Sequence, residues 1–302
     1  MEKKQNIAAS VRAKLKNKAK EKEVEFQNLL VRFGNERLLY RLSKSKYQKS
    51  FMLKGATLFA IWTGETHRPT KDMDLLGFGK NDIPTLENIF KQICAIDGED
   101  GLEFYAESVK GAEIRAEKIY QGVRITLLAS LDGARIPLQV DIGFGDAVTP
   151  KAVTQIIETI LDLPKPKLRI YPKETVIAEK FEAMVKLGIG NSRMKDFWDV
   201  KFLIKNFSFE GVLLQKAIKA TFANRQTAVP TKLPIAFTEI FTKNVEAITD
   251  WTAFIKRNKI KSDTDFGKVV ESLRGFFEPI IEAENNEAIF DQNWSFPNGW
   301  VI

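Results

Sequence analysis

Hydrophobic and polar positions divide the chain into a helical start, a mixed segment and a mostly helical remainder. In residues 7–46, leucines and phenylalanines recur at near-helical spacing, and Gly34-Asn35 predicts a break. Short apolar runs then predict strands at 51–53, 72–78, 115–131 and 134–143, with helices at 57–62 and 83–95. Asp132-Gly133, between the last two runs, is typical of a type I′ hairpin turn.

From residue 150 onward the pattern is mostly helical. A strand is predicted at 168–171, ending before Pro172, and the aromatic tail at 294–300 is predicted to be irregular. Helices are predicted near 174–187, 194–206, 211–221, 234–247, 250–257 and 264–284. We therefore predict an α+β fold, in which flanking helices cover a mixed β-sheet and a helical C-terminal domain follows. The predicted domains are 1–50, 51–165 and 166–302.

Composition and charge narrow the class of protein. Of the 302 residues 44% are hydrophobic, as in a soluble globular protein. The apolar runs are too short to span a membrane, and neither a signal peptide nor a second cysteine beside Cys94 is present, so we expect a cytoplasmic protein without a membrane partner. The net charge of +7 favours a nucleotide or nucleic-acid partner. The basic run from Arg12 to Lys22 is either a solvated helix face or an RNA contact.

Three carboxylates are the main candidates for chemistry. Asp72 and Asp74 are separated by one residue in a predicted strand, so both side chains point to the same face. Asp141 ends another predicted strand. Oxygen ligands of this kind suit Mg²⁺, and two Mg²⁺ ions held by shared carboxylates catalyse phosphoryl and nucleotidyl transfer. An Asp-x-Asp pair alone is a weak signal, since such pairs are frequent in turns and at strand ends.

Gly55 supplies a candidate phosphate cradle. It stands between a predicted strand and a predicted helix, where a residue without Cβ lets backbone approach a phosphate and the helix start directs N–H groups toward it. Thr57 adds a hydroxyl donor. Arg68 and Lys71, which flank the Asp-x-Asp pair, are candidates for gripping nucleotide phosphates or are surface charges.

Lys180 lies on the apolar stripe of a predicted helix, where its charge needs a partner. A triphosphate or Asp196 would serve, although a lysine whose head reaches water would fit the same pattern. Asp196 and Asp199 face the core of the next predicted helix, and Lys180 or Arg193 would balance them. Asp199 is alternatively a structural partner of a buried basic group.

These segments together resemble a known family. Phe51-Met-Leu-Lys-Gly-Ala56 with Arg68-Pro-Thr-Lys-Asp-Met-Asp-Leu-Leu76 resembles the AbiEii toxins, which include the MenT toxins and belong to the DNA polymerase β-like nucleotidyltransferases. Segments 171–183, 193–200 and 217–225 resemble later motifs of that family, so the likeness covers nearly the whole chain. One departure is Ala56, which stands where the family often has Gly or Ser; the lost hydroxyl would remove one phosphate contact and leave the backbone amides.

The resemblance implies a minimal nucleotidyltransferase palm in which Asp72 and Asp74 bind metal and Lys180 and Asp196 belong to the active site. It further implies a toxin of a toxin–antitoxin or phage-defence (abortive infection) system. Such a toxin transfers nucleotides from an NTP to an acceptor, with the tRNA 3′ end as the expected RNA acceptor, and has a cognate antitoxin. Two alternatives remain open at this point. They are a non-catalytic nucleotide- or RNA-binding module and an aminoglycoside-type nucleotidyltransferase.

Overall fold

The computed structural model describes residues 2–64, 68, 70–114, 122–260 and 265–302. Its internal contacts divide the chain into two compact units. The first comprises Met1–Gly145 and Val153–Ile170, and the second comprises Asp146–Ala152 and Tyr171–Ile302. A mixed sheet with helices in the first unit and a mainly helical second unit confirm the predicted α+β class.

The first unit contains four helices and seven strands in its described residues. The helices are α1 (Glu2–Glu21), α2 (Phe26–Lys44), α3 (Thr57–Thr63) and α4 (Ile83–Cys94). The strands are β1 (Phe51–Lys54), β2 (Met73–Gly77), β3 (Glu103–Ile114), β4 (Gly122–Leu131), β5 (Ala134–Phe144), β6 (Val153–Ile156) and β7 (Lys167–Ile170).

The seven strands form one sheet in the order β3-β4-β5-β2-β1-β7-β6. The central pair β2 and β5 is parallel, whereas β1 runs antiparallel to β2. Alternate residues of β5, including Ile136, Leu138 and Val140, are fully buried or nearly so and form the apolar face of the strand. The residues between them leave the opposite face of the sheet free for polar side chains.

One sequence prediction in this unit is wrong, and the strands β3 and β6 were not predicted. The break at Gly34-Asn35 does not occur, because α2 continues through it and Gly34 packs against β5, where a Cβ would lie 3.0 Å from Leu138 Cδ2. Glycine serves close packing here, and the turn between α1 and α2 falls at residues 22–25. The strand β3 was not predicted; the run assigned to 115–131 starts in residues outside the described ones, and its described part is β4.

A buried ion cluster ties α2 to the segment that precedes β3. Asp100 is 1% exposed and accepts hydrogen bonds from Arg37 Nε at 2.6 Å and from Arg41 Nη1 at 2.7 Å. The backbone N–H of Leu102 donates to the same carboxylate. Burial opposes the charge of Asp100, yet the two arginines hold the pKa of Asp100 below its ordinary value. The cluster therefore fixes the position of α2 beside the sheet.

Glu36, one residue before this cluster, is a second buried acid. It is 8% exposed, and its Oε2 accepts a hydrogen bond from the N–H of Ile160 at 2.7 Å. Burial raises the pKa of Glu36 to about 7, against the lowering effects of that hydrogen bond and of the Arg37 and Arg32 charges, while Asp100 adds to the rise. The folded protein thus retains a proton on Glu36 that the unfolded chain releases near pH 4.5.

Stability is therefore expected to fall as pH rises from about 4.5 past 7, because only the folded state still binds the proton in that window. Glu36→Gln removes the titrating group. The free energy of unfolding of this variant should exceed that of the wild type by about 3 kcal/mol at pH 8.5 and by much less at pH 5. Urea unfolding at both pH values measures this difference, with hydrogen exchange of the β4 and β5 amides as the readout. The exposed Glu158→Gln is the control, and a gain independent of pH would contradict the expectation.

The second unit contains six helices and a small sheet in its described residues. The helices are α5 (Lys173–Leu187), α6 (Met194–Asn206), α7 (Gly211–Asn224), α8 (Glu239–Thr242), α9 (Val245–Arg257) and α10 (Phe266–Asn285). Strands β8 (Phe209–Glu210), β9 (Asn293–Ser295) and β10 (Gly299–Val301) pair in the order β10-β9-β8. Stacked rings fill the core, with Phe181 and Phe277 centroids 4.2 Å apart.

Two predictions in the second unit are also wrong. The expected helix at 234–247 is replaced by a short 3-10 turn, the four-residue α8 and the start of α9. The tail predicted to be irregular forms the β9–β10 hairpin, in which Trp294 and Trp300 pair across the strands and both rings pack on Phe276. In the described part of the chain, every helix is too short or too polar to cross a membrane.

Candidate active site

Gly55 and Asp74 meet at the end of β1. The backbone of Gly55 has φ of +75°, which favours glycine, and a Cβ on this residue would lie only 1.9 Å from Asp74 Oδ2. Asp74 faces Lys54 across the antiparallel pair β1 and β2, so both side chains stand on one face of the sheet. The carboxylate of Asp74 therefore occupies the space that the missing side chain of Gly55 leaves at the turn into α3.

Asp141 lies beside Asp74, since the two are register partners in the parallel strands β2 and β5. On its other side, Arg124 of β4 is the register partner of Asp141. The guanidinium donates from Nε to Asp141 Oδ1 and from Nη2 to Oδ2, both at 2.8 Å. Gln139 Nε2 adds a weaker contact at 3.3 Å. Both oxygens of Asp141 are thus engaged by a cation from the neighbouring strand.

The three predicted carboxylates act on this one guanidinium. The pKa of Arg124 is raised, first by its hydrogen bonds to Asp141 and then by the negative charges of Asp141, Asp72 and Asp74, against the effect of burial. Asp72 directly precedes β2 and is exposed, whereas Asp74 and Asp141 are half-buried. The sheet therefore brings Asp72, Asp74 and Asp141 within electrostatic reach of a shared point.

The chemistry of these carboxylates fits Mg²⁺. Among the described residues, no group of three or more acidic, histidine or cysteine side chains is arranged to hold a metal ion. Asp72 and Asp74 still offer hard oxygen ligands at the start of β2, and Mg²⁺ typically takes one or two carboxylates together with waters and substrate phosphates. Both oxygens of Asp141 accept from Arg124, so a metal ion at Asp141 would compete with that guanidinium.

The other predicted nucleotide contacts of the first unit lie between β1 and β2 in the sequence. Ala56 precedes α3, and Thr57 is the first residue of that helix. Arg68 is half-buried and Lys71 is exposed. The backbone carbonyl of Lys71 accepts a hydrogen bond from Asn35 Nδ2 at 3.0 Å, which anchors the segment leading into β2 to α2.

Lys180, Asp196 and Asp199 form a buried ion cluster in the second unit. Lys180 Nζ lies 2.6 Å from Asp196 Oδ1 and 2.8 Å from Asp199 Oδ2, and both acids are 1% exposed. Arg193 Nε lies 2.7 Å from the other oxygen of Asp196. Burial alone would raise the pKa of Asp196, but the charges of Lys180 and Arg193 hold it below its ordinary value. The predicted pair of Lys180 with Asp196 is present.

A second ionic cluster in this unit centres on Arg225, which ends the 217–225 segment. Its Nη1 donates to Glu182 at 2.9 Å, and its Nη2 lies 3.4 Å from Asp146 and 3.5 Å from Glu179. Burial opposes the charge of Arg225, but these carboxylates raise its pKa.

Comparison with known proteins identifies the family. The model of the nucleotidyl transferase AbiEii toxins of type IV toxin–antitoxin systems matches residues 37–272. The chain belongs to the AbiEii toxin family. The chain is also similar to the crystal structure of JHP933 from Helicobacter pylori, with 16% identity, a TM-score of 0.49 and coverage of 87% of this chain and 95% of that one. A second H. pylori structure, described as a "putative nucleotidyltransferase", has 17% identity, a TM-score of 0.49 and coverage of 87% and 98%. The search of curated proteins gave no match.

The candidate site also contains Arg124 and Lys54, which the sequence predictions did not include. A signal for Arg124 was available, because the Asp132-Gly133 turn pairs Leu131 with Ala134 and, counted outward, Arg124 with Asp141. Lys54 stood next to Gly55 in the matched motif, but the antiparallel pairing of β1 with β2 was needed to place it opposite Asp74.

Proposed function

We propose that this AbiEii-family toxin transfers a nucleotidyl group from an NTP to the 3′ end of an RNA, with tRNA as the expected acceptor. The observation that supports the proposal is the pairing of Asp74 with Asp141 in neighbouring strands beside the Gly55 turn, with Asp72 two residues before Asp74 and Arg124 bound to Asp141. In the reaction, the acceptor hydroxyl oxygen bonds to the α-phosphorus of the NTP. The bond from that phosphorus to the bridging oxygen of the β-phosphate breaks, pyrophosphate leaves, and the proton of the attacking hydroxyl is released to solvent.

Each residue has a distinct proposed role. Asp72 and Asp74 hold Mg²⁺, with Asp141 as a third candidate ligand; two ions are expected, and when bound they would neutralise phosphate charge and lower the pKa of the attacking hydroxyl. Asp141 orients that hydroxyl by accepting its hydrogen bond, and Arg124 limits repulsion among the three acids. We propose Gly55, Ala56, Thr57, Arg68 and Lys71 as nucleotide contacts.

The second-unit cluster is proposed to serve the same reaction. Lys180 carries the positive charge suited to a triphosphate, and Asp196 and Asp199 fix its ammonium group in place. Blocked tRNA charging would stop growth, which is an outcome expected of a toxin in abortive infection and phage defence. The type IV toxin–antitoxin family implies an antitoxin partner, whose direct binding to this chain is a separate question.

Incubation with each labelled NTP, Mg²⁺ and total cellular RNA, followed by a denaturing gel, tests the proposal. We expect label in the tRNA band with the native protein. Asp72→Asn and Asp74→Asn, which keep side-chain size and remove the charge, should reduce the label to background. The exposed Asp162→Asn in the same unit is the control and should label normally. Full labelling by both active-site variants, or no labelled RNA with any NTP, would overturn the proposal.

A further inference from the structure

A cavity of about 230 Å³ lies in the first unit, and its lining includes Thr57, which is also one of the nucleotide contacts proposed above, and Thr70. Parts of α1, α2, α3 and the segment after β6 line it, together with Met73. Met73 stands between Asp72 and Asp74, and neighbouring residues of a strand point to opposite faces. The cavity is therefore on the other face of β2 from the carboxylates of the candidate active site.

Above about pH 7, where Glu36 is ionised, the polar lining of the cavity contains two hydrogen-bond acceptors that lack donors among the described residues. Glu36 uses Oε2 for the N–H of Ile160, but its buried Oε1 has no partner among the described residues. Asn35 donates through Nδ2 to the carbonyl of Lys71, which fixes the orientation of its amide and leaves the buried Oδ1 without a donor. Buried acceptors of this kind are costly unless a donor reaches them.

The rest of the lining is suited to a ligand that joins a planar apolar group to a negatively charged group. Apolar side chains form much of the wall; they are Leu29, Leu39, Ala60, Ile61, Met73 and Ile157. Three cations also line the cavity, namely Lys18 and Lys22 of the basic N-terminal run and Arg32 of α2. A small apolar pocket with a few placed polar groups is the usual form of a ligand site.

We propose that this cavity binds one nucleotide unit whose base carries an exocyclic amino group. The two N–H bonds of the amino group, or in guanine the amino group and the neighbouring ring N–H, donate to Glu36 Oε1 and Asn35 Oδ1, and the base packs between the apolar side chains. The phosphate lies toward Lys18, Lys22 and Arg32. The nucleotide is either free or the unpaired end of an RNA strand. The inference depends on this cavity and not on catalysis at Asp72 and Asp74.

Calorimetric binding at pH 8.5 in EDTA, with the Asp72→Asn protein, tests the inference without a contribution from the proposed metal site. GMP, AMP, CMP and UMP are the free-nucleotide probes, and hexamers of adenylate and uridylate are the RNA probes. We expect an amino-bearing mononucleotide to bind at least about tenfold more tightly than UMP, because UMP cannot supply the second donor. Preference for the adenylate hexamer over AMP would assign the site to RNA ends, and the reverse to free nucleotide.

Glu36→Gln places an amide in the cavity and should weaken binding of the preferred nucleotide at least about tenfold, whereas Glu158→Gln at the same cavity should not. The double variant Lys18→Gln/Lys22→Gln should bind the nucleotide more weakly but bind the corresponding nucleoside, which lacks the phosphate, as tightly as before. Binding of UMP as tight as the others, unaltered binding by Glu36→Gln, or no binding of any probe would overturn the proposal; in the last case buried water alone satisfies the two acceptors. Failure here would leave the labelling experiment unaffected.

Discussion

Replacing Lys180 with alanine is expected to destabilise the second unit by about 3–5 kcal/mol. The substitution leaves Asp196 and Asp199, each 1% exposed, without the ammonium group that contacts both. Arg193 still reaches Asp196 but is half-exposed and contacts one oxygen. Urea unfolding followed by tryptophan fluorescence measures the loss, since Trp198, Trp251, Trp294 and Trp300 all belong to this unit.

Lys186→Ala, on the exposed side of the same helix, is the matched control and should change stability little. The expected cost also affects how transfer assays are interpreted, because Lys180→Ala can lose activity by unfolding. Lys180→Arg keeps a positive charge for the two acids and separates the roles. A stable Lys180→Arg protein without labelling activity would support direct contact with the nucleotide, whereas retained labelling would point to a structural role. A stability loss below about 1 kcal/mol for Lys180→Ala would contradict the ion-cluster argument.

Gly55→Ala is expected to abolish transfer and to cost about 2–5 kcal/mol of stability. Left-handed backbone costs a residue with a Cβ about 1–2 kcal/mol, and overpacking adds about 1–3 kcal/mol. The added atom would lie 1.9 Å from Asp74 Oδ2 and 2.6 Å from its Cγ, so the carboxylate must move. The gel assay and urea unfolding measure the two effects on one preparation.

Gly133→Ala isolates the backbone contribution. Gly133 has the same φ of +75°, and nothing lies within 4 Å of its added Cβ. This control should lose about 1–2 kcal/mol and keep its labelling activity. Normal labelling by Gly55→Ala would show that the position of Asp74 against the turn is unimportant for transfer.

Strand periodicity, turn signals and helix periodicity predicted those parts of the site that depend on residues close together in the sequence. Asp74 lies in β2, as predicted, whereas Asp72 directly precedes this strand, so the placement of both side chains on one face stays a prediction. The Asp132-Gly133 turn correctly placed the start of β5. The same turn fixes Arg124 opposite Asp141, so the cation was predictable by counting along the hairpin. The apolar stripe of α5 correctly marked Lys180 as a lysine in need of a partner.

Features that depend on distant segments could not be predicted in this way. Gly34 has the local signature of a break, but its packing on Leu138 decides its conformation. The strand β3 has irregular alternation of buried and exposed residues and a register shift between Tyr105 and Lys110, which weakens its period-two pattern. The cavity beside Glu36 joins residues from α1 to Ile160, and no single stretch of sequence indicates it.

The position of α2 has a practical consequence for gene design. The family match begins at residue 37, in the middle of this helix, so a clone trimmed to the matched range would start halfway through it. Such a fragment would lack Gly34 and uncover Ile136 and Leu138 on the sheet. An exposed apolar surface of that kind promotes aggregation. Expression vectors for this toxin should therefore also encode residues 1–36.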